Sequence, residues 1–173
     1  MTIVLRILAG IAALVGAMAC AGLTIPRRHI ARRTARYARR PEEVYAAITA
    51  YEELPQWQPG VARVEILPPR AGKARYRTHG KFGAMTLVVE EAVPPRRVVG
   101  RIDEPELGFG GTWIYEIAPV DGGATLTITE DGFISNPIFR ALARFVFGYH
   151  RTMEGYLRGL GRKFGEATEP RPP

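Results

Sequence analysis

Hydrophobic and polar positions divide the chain into three regimes. Nineteen residues from Ile7 to Ile25 pass without a charge. As a helix they would span roughly 28 Å, close to the ~30 Å hydrocarbon thickness of a bilayer, and Pro26 ends the run. Farther along, the pattern shortens to a period of two: Val64 and Ile66 oppose Arg63 and Glu65, and Ala74, Tyr76 and Thr78 oppose Arg75, Arg77 and His79. Such alternation marks half-buried antiparallel strands. Further strands are predicted around 85–92, 98–102, 112–117 and 124–130, with turns at Pro94-Pro95, Gly108 to Gly111 and Asp121-Gly122-Gly123. In the third regime Ile138, Leu142, Phe145, Tyr149, Met153, Tyr156 and Leu160 recur at spacings of three and four after Asn136-Pro137. This predicts one long helix to about Phe164, roughly 40 Å in length, with Arg140, Arg144, Arg151 and Arg158 on another side.

Between the first two regimes, His29 to Tyr37 alternates imperfectly and reads as a first strand, or as an arginine strip along a lipid surface. Pro41 suits the first position of a helix, Glu42 and Glu43 suit its positive end, and Val44, Tyr45, Ile48 and Tyr51 form its apolar side. Leu54-Pro55 breaks that helix, and Trp57 with Pro59-Gly60 turns the chain into the next strand. Within the later strands, Trp113, Tyr115 and Ile117 share one face, as do Leu126, Ile128 and Glu130, while Thr125, Thr127 and Thr129 face water.

The formal charge of +7 looks like that of a nucleic-acid binder until its location is considered. Seven arginines (Arg27, Arg28, Arg32, Arg33, Arg36, Arg39 and Arg40) fall in residues 27–40 with no acid among them. Taking these and Arg6 from the 24 basic residues leaves 16 against all 17 acids, so the remainder is nearly neutral and no nucleic-acid partner is expected. Arginines following an apolar span favour a single-pass anchor in the cell (inner) membrane with the domain on the cytoplasmic side. The competing reading is a secretory signal cleaved near Ala19-Cys20-Ala21, which would leave the domain periplasmic or secreted. Ala9, Ala13, Ala17 and Ala21 recur every fourth residue, a face that would suit a homodimer through the anchor, although alanine is common in such spans. The single cysteine, Cys20, excludes an internal disulfide and a cysteine-based zinc site.

The order of elements, a strand, an interrupted helix, six strands and a long closing helix, resembles the START-like (SRPBCC) superfamily. Within it the chain is most similar to the polyketide cyclase/dehydrase and lipid-transport family. The residues that carry the resemblance are Pro41-Glu42-Glu43-Val44-Tyr45, Tyr51 to Trp57, Gly111-Thr112-Trp113 with Tyr115-Glu116-Ile117, Gly123-Ala124-Thr125 with Thr129-Glu130, and Asn136-Pro137-Ile138-Phe139. It covers about residues 28–166. It implies an α+β helix-grip fold, a curved antiparallel sheet of about seven strands around a long C-terminal helix, with a deep apolar cavity between the two. Fold alone does not transfer an activity. The expected organisation is an anchor at 3–26, a basic juxtamembrane segment and first strand at 27–40, the helix-grip domain at 41–166 and a disordered tail at 167–173.

The search for chemistry is mostly negative. His29, His79 and His150 show no metal-binding spacing, and there is no Gly-x-Ser-x-Gly elbow, so neither a metal nor a cofactor is expected. Gly108-Phe109-Gly110-Gly111 leads into a strand and lacks the helix N-terminus a phosphate loop requires. Glu130 shares its face with Leu126 and Ile128, which makes it the one weak catalytic candidate or a polar anchor for a ligand; the plainer alternative is that the strand has left the core by then. Tyr76, Trp113, Tyr115, Phe145, Tyr149 and Met153 are candidate lining residues for an apolar ligand, and aromatics at such spacing also serve simply as core. Binding or transfer of a hydrophobic small molecule (lipid, quinone or polyketide-like) leads. A cyclase or dehydratase using Glu130 and a tyrosine, and a purely protein-interaction module, are the alternatives.

Overall fold

The computed structural model describes residues 2–81 and 83–173. Helix α1 (Thr2–Thr24) precedes β1 (Arg28–Tyr37), α2 (Pro41–Thr49), a 3-10 turn at Tyr51–Glu53 and the short α3 (Leu54–Trp57). Six strands follow: β2 (Val61–Arg70), β3 (Lys73–Gly80), β4 (Gly83–Val93), β5 (Arg97–Ile102), β6 (Phe109–Val120) and β7 (Gly123–Ile134). The chain closes with α4 (Pro137–Leu142), a π-helical segment at Ala143–Phe147 and α5 (Arg151–Lys163). The sheet is seven-stranded and antiparallel, in the order β1-β7-β6-β5-β4-β3-β2. β1 returns to pair with β7 in an unbroken register from Arg28 opposite Phe133 to Tyr37 opposite Ala124. This is the helix-grip fold.

Local chemistry explains the boundaries. Pro41 opens α2, and the Glu43 carboxylate accepts the Arg40 backbone N–H at 3.0 Å, satisfying a donor at the helix start. Asn136 caps α4, its Oδ1 accepting from Ile138 N at 2.9 Å and Phe139 N at 3.2 Å. Alternation then sets the core: Ala31, Ala35 and Tyr37 from β1 and Ala124, Leu126 and Ile128 from β7 face Met153, Leu157 and Leu160 of α5, all buried. Fully burying side chains such as these three on α5 contributes roughly 1.5–3 kcal/mol each.

Several expectations need correction. The closing helix is not continuous: Gly148 sits at φ 72°, in the left-handed region open to glycine, and separates the π segment from α5. Arg140 does not line an outer, solvated side of that helix. It is 4% exposed, and its Nε donates to the Gly22 carbonyl of α1 at 2.9 Å. α1 carries no basic residue in its own last turn, so Arg140 supplies positive charge to its carbonyl end from outside. Gly22 permits the approach, since a side chain there would collide with the Pro137 backbone. The loop expected at Gly108 to Gly111 ends at Gly108, and β6 already begins at Phe109. In the tail at 167–173, Arg171 and Thr34 exchange both backbone hydrogen bonds at 2.9 Å, and Thr168 is buried. Of α1 itself, length and apolar character fit either a membrane anchor or a signal sequence.

Candidate functional site between sheet and closing helix

The inner face changes character along its length. At the end nearest Ala124 it is solid: the Tyr37 hydroxyl donates to the Leu157 carbonyl at 2.8 Å, and Phe164 meets the Tyr37 ring edge-on at 5.7 Å. Burial drives the Tyr37 pKa far up, so its proton stays on.

The middle is aromatic. Tyr51, just after α2, stacks on Tyr76 of β3 at 4.2 Å, and Trp57 of α3 meets Tyr156 of α5 edge-on at 4.9 Å. Trp113 and Tyr115 of β6 close on the same Tyr156 ring at 6.0 and 5.6 Å. Pairs in this geometry each add about 0.5–1.5 kcal/mol beyond area burial. The rings therefore line the middle of the inner face, with Tyr51, Trp113 and Tyr115 each only partly buried. Desolvation raises the tyrosine pKa values here, Tyr51 to about 12 and Tyr76, Tyr115 and Tyr156 further. Near neutral pH these phenols stay protonated and act as hydrogen-bond donors and acceptors rather than as bases. The Trp57 indole N–H is buried with no partner, a donor held in an apolar setting.

Nearest α1 the face turns polar. β7 does not leave the core at residue 130 but continues to Ile134, and Glu130 points inward beside His29 of β1, with Oε1 at 3.2 Å from Nε2. The two side chains are 21% and 11% exposed. Tyr149 stacks flat on the His29 ring at 4.0 Å, and Gly132 makes room for the pair. One turn deeper, Arg33 Nε reaches Glu154 at 2.9 Å. His150 buries Nδ1 without a partner, and desolvation, then Arg33, lowers its pKa. A half-buried carboxylate against an imidazole can accept, hold and return a proton, or orient the polar head of a bound molecule.

The predicted site residues are thus split. Tyr76, Trp113 and Tyr115 join the aromatic middle, Glu130 and Tyr149 join the polar end, and Met153 is fully buried among core residues. Phe145 does not line the interior at all: it is 71% exposed, because the π segment and Gly148 reset the helical phase before α5 begins. Reading the sequence missed Tyr51, Trp57, Tyr156, Arg33, His29 and His150 as members. His29 was within reach, since counting back in twos from Tyr37 passes Ala35, Arg33 and Ala31 to His29. No group of three or more His, Cys, Asp or Glu residues placed to hold a metal ion occurs among the described residues.

Residues 28–165 match the family model described as polyketide cyclase / dehydrase and lipid transport. The chain belongs to that family. Solved structures agree on the fold. A START superfamily protein from Mycobacterium smegmatis superposes with a TM-score of 0.63 at 18% identity, covering 78% of this chain and 96% of that one. An aromatase/cyclase from Streptomyces gives 0.63 at 15% identity, with 79% and 93% covered. A protein from Rhodobacter sphaeroides is 25% identical over 80% of this chain and 97% of its own, with a TM-score of 0.55. None of the curated proteins matches the sequence. Family membership brings β1 and its arginines into the domain proper, since the match starts at residue 28.

Proposed function

We propose that this family member binds or transfers a hydrophobic small molecule of lipid, quinone or polyketide-like type between the sheet and α5, and that α1 tethers the domain to the cell membrane from its cytoplasmic side. The observation that carries this reading is the grading of the inner face. Aromatic rings with protonated hydroxyls lead to a polar end formed by His29, Glu130 and Tyr149. An apolar body with one polar head would match that grading, the body lying against the rings and the head meeting the polar end. Tyr51 and Tyr149, on the irregular segments after α2 and before α5, can part with less loss of regular structure than the strand residues.

The test is lipid extraction and native mass spectrometry of the full chain taken from its host membranes in mild detergent. A stoichiometric co-purifying hydrophobic compound is expected. An empty protein that gains no thermal stability from a panel of lipids, quinones and polyketide-like compounds would overturn the reading. For the tether, a cysteine placed at the exposed Glu169 in a Cys20→Ser chain should be protected from an impermeant thiol reagent in intact cells; ready labelling would instead favour export after cleavage at the α1 end.

The His29–Glu130 contact favours one second reading, a cyclase or dehydratase in which Glu130 moves the proton and a tyrosine hydroxyl donates to a carbonyl oxygen. With the phenols held protonated, Glu130 rather than a tyrosine would be the base. Glu130→Gln should then abolish turnover of a polyketide-like substrate, and unchanged turnover would remove Glu130 from the mechanism.

A further inference from the structure

Apolar exposure on the domain is unevenly placed. Among the described residues outside α1, ten large apolar side chains are exposed, and eight of them lie at the end where α1 meets the domain, among them Phe109, Phe133, Phe139 and the run Phe145-Val146-Phe147. Phe145, Val146 and Phe147 are 71%, 63% and 54% exposed. A monomer in water rarely concentrates such residues on one end without a surface to cover them.

Two contacts locate this run relative to α1. On one side, Arg140 of α4 holds the Gly22 carbonyl in the last turns of α1. On the other, Tyr149 stacks on His29, five residues after the helix ends at Thr24. The π segment is therefore bracketed by residues that touch the end of α1 and the strand leaving it. Exposed Arg27, Arg28, Arg144 and Arg151 flank the same end, where anionic headgroups would meet them. The interior behind this run is the polar end of the site, and the wall here is irregular, a π turn followed by Gly148.

We infer that the segment 143–149 seats in the interfacial layer of an anionic bilayer and forms the mouth through which a ligand passes directly between lipid and the inner face. This rests on the reading of α1 as an anchor. The apolar run contributes burial in the headgroup and acyl boundary, and the arginines contribute attraction to anionic lipid. A ligand that partitions into the bilayer then need not cross water, and Tyr149 with His29 stands at the threshold.

The full chain, placed in vesicles of phosphatidylethanolamine and phosphatidylglycerol, tests this with an environment-sensitive thiol probe and lipids spin-labelled near the top of the acyl chain. The probe goes on native Cys20, on Val146→Cys in a Cys20→Ser chain, or on Asp121→Cys in the same background. Asp121 lies in the β6–β7 hairpin, the far end of a β7 strand that runs roughly 36 Å from Ile134. Expected are a blue shift and strong quenching at Cys20 and at Val146, with neither at Asp121. Phe145→Glu with Phe147→Glu should abolish the Val146 signal while leaving the melting temperature in place. Quenching at Cys20 with Val146 behaving like Asp121 would overturn the seating and leave ligand binding untouched. No quenching at Cys20 would overturn the anchor and the seating together.

Discussion

The two ends of the sheet-helix interface follow different rules. At the far end Tyr37, Leu126, Leu157 and Leu160 are buried to 0%, and the one polar atom among them, the Tyr37 hydroxyl, is paired. At the end next to α1, a histidine with an orphaned ring nitrogen, a half-buried acid, a π-helical turn and three exposed apolar residues in a row occur together. The packed side chains of the far end add stability, although Thr168 buries its hydroxyl there beside Gly161 without a partner. The features of the near end each cost some, and features that cost stability without compensation usually serve function. The contrast is what supports our proposal that the work of this protein lies at the α1 end.

Substitutions at the two ends should separate stability from function. The largest loss is expected at Leu157→Ala, which empties a fully buried site between α5 and the sheet. Denaturant unfolding in detergent should show about 2–5 kcal/mol less stability, with seating on vesicles intact in the folded fraction. Gly132→Ala comes next. Its methyl group would stand 2.7 Å from His29 Cε1, 2.8 Å from His29 Nε2 and 3.0 Å from Glu130 Oε1. Forcing those side chains apart should cost about 1–3 kcal/mol and weaken ligand retention in mass spectrometry more than the melting temperature alone would suggest.

A smaller effect is expected from pH. Burial and Arg33 push the His150 pKa below its ordinary 6.5, against the opposing pull of Glu154 and Glu130. As pH falls through 6.5, the unfolded chain takes up a proton at this position that the fold resists. The stability present above that pH is therefore lost progressively until the folded pKa is passed. Melting curves against pH should show this decline, and His150→Gln should flatten it; identical slopes in the two chains would mean that His150 does not contribute. Smallest of all is Phe145→Ala, which should change unfolding stability by less than about 0.5 kcal/mol because the ring is exposed. The same substitution should lower the quenching of a probe at Val146. A stability loss there comparable to that of Leu157→Ala would erase the distinction between the two ends.

Much of the fold was written in local pattern. Alternation placed Tyr76, Trp113, Tyr115, Leu126, Ile128 and Glu130 on inner faces, because a strand turns its side chains over every residue and needs no partner to do so. The spacing of Met153, Tyr156 and Leu160 likewise named the buried stripe of α5. Extrapolating that spacing backwards failed at Phe145. Helical phase survives only while the hydrogen-bond pattern does, and the π segment with Gly148 interrupts it.

What the chain determined by itself was therefore the set of elements, their inner faces and the apolar span at its start. Tertiary structure alone decided which of those faces meet. His29 and Glu130 lie 101 positions apart, and only the register that sets His29 opposite Gly132 brings them into contact. Arg140 sits in the helix stretch where the other arginines are solvated, and only the arrival of α1 beside α4 turns it inward. Period and propensity act over a few residues, whereas pairing between distant segments is set by the whole fold at once, through burial and the satisfaction of backbone and charged groups.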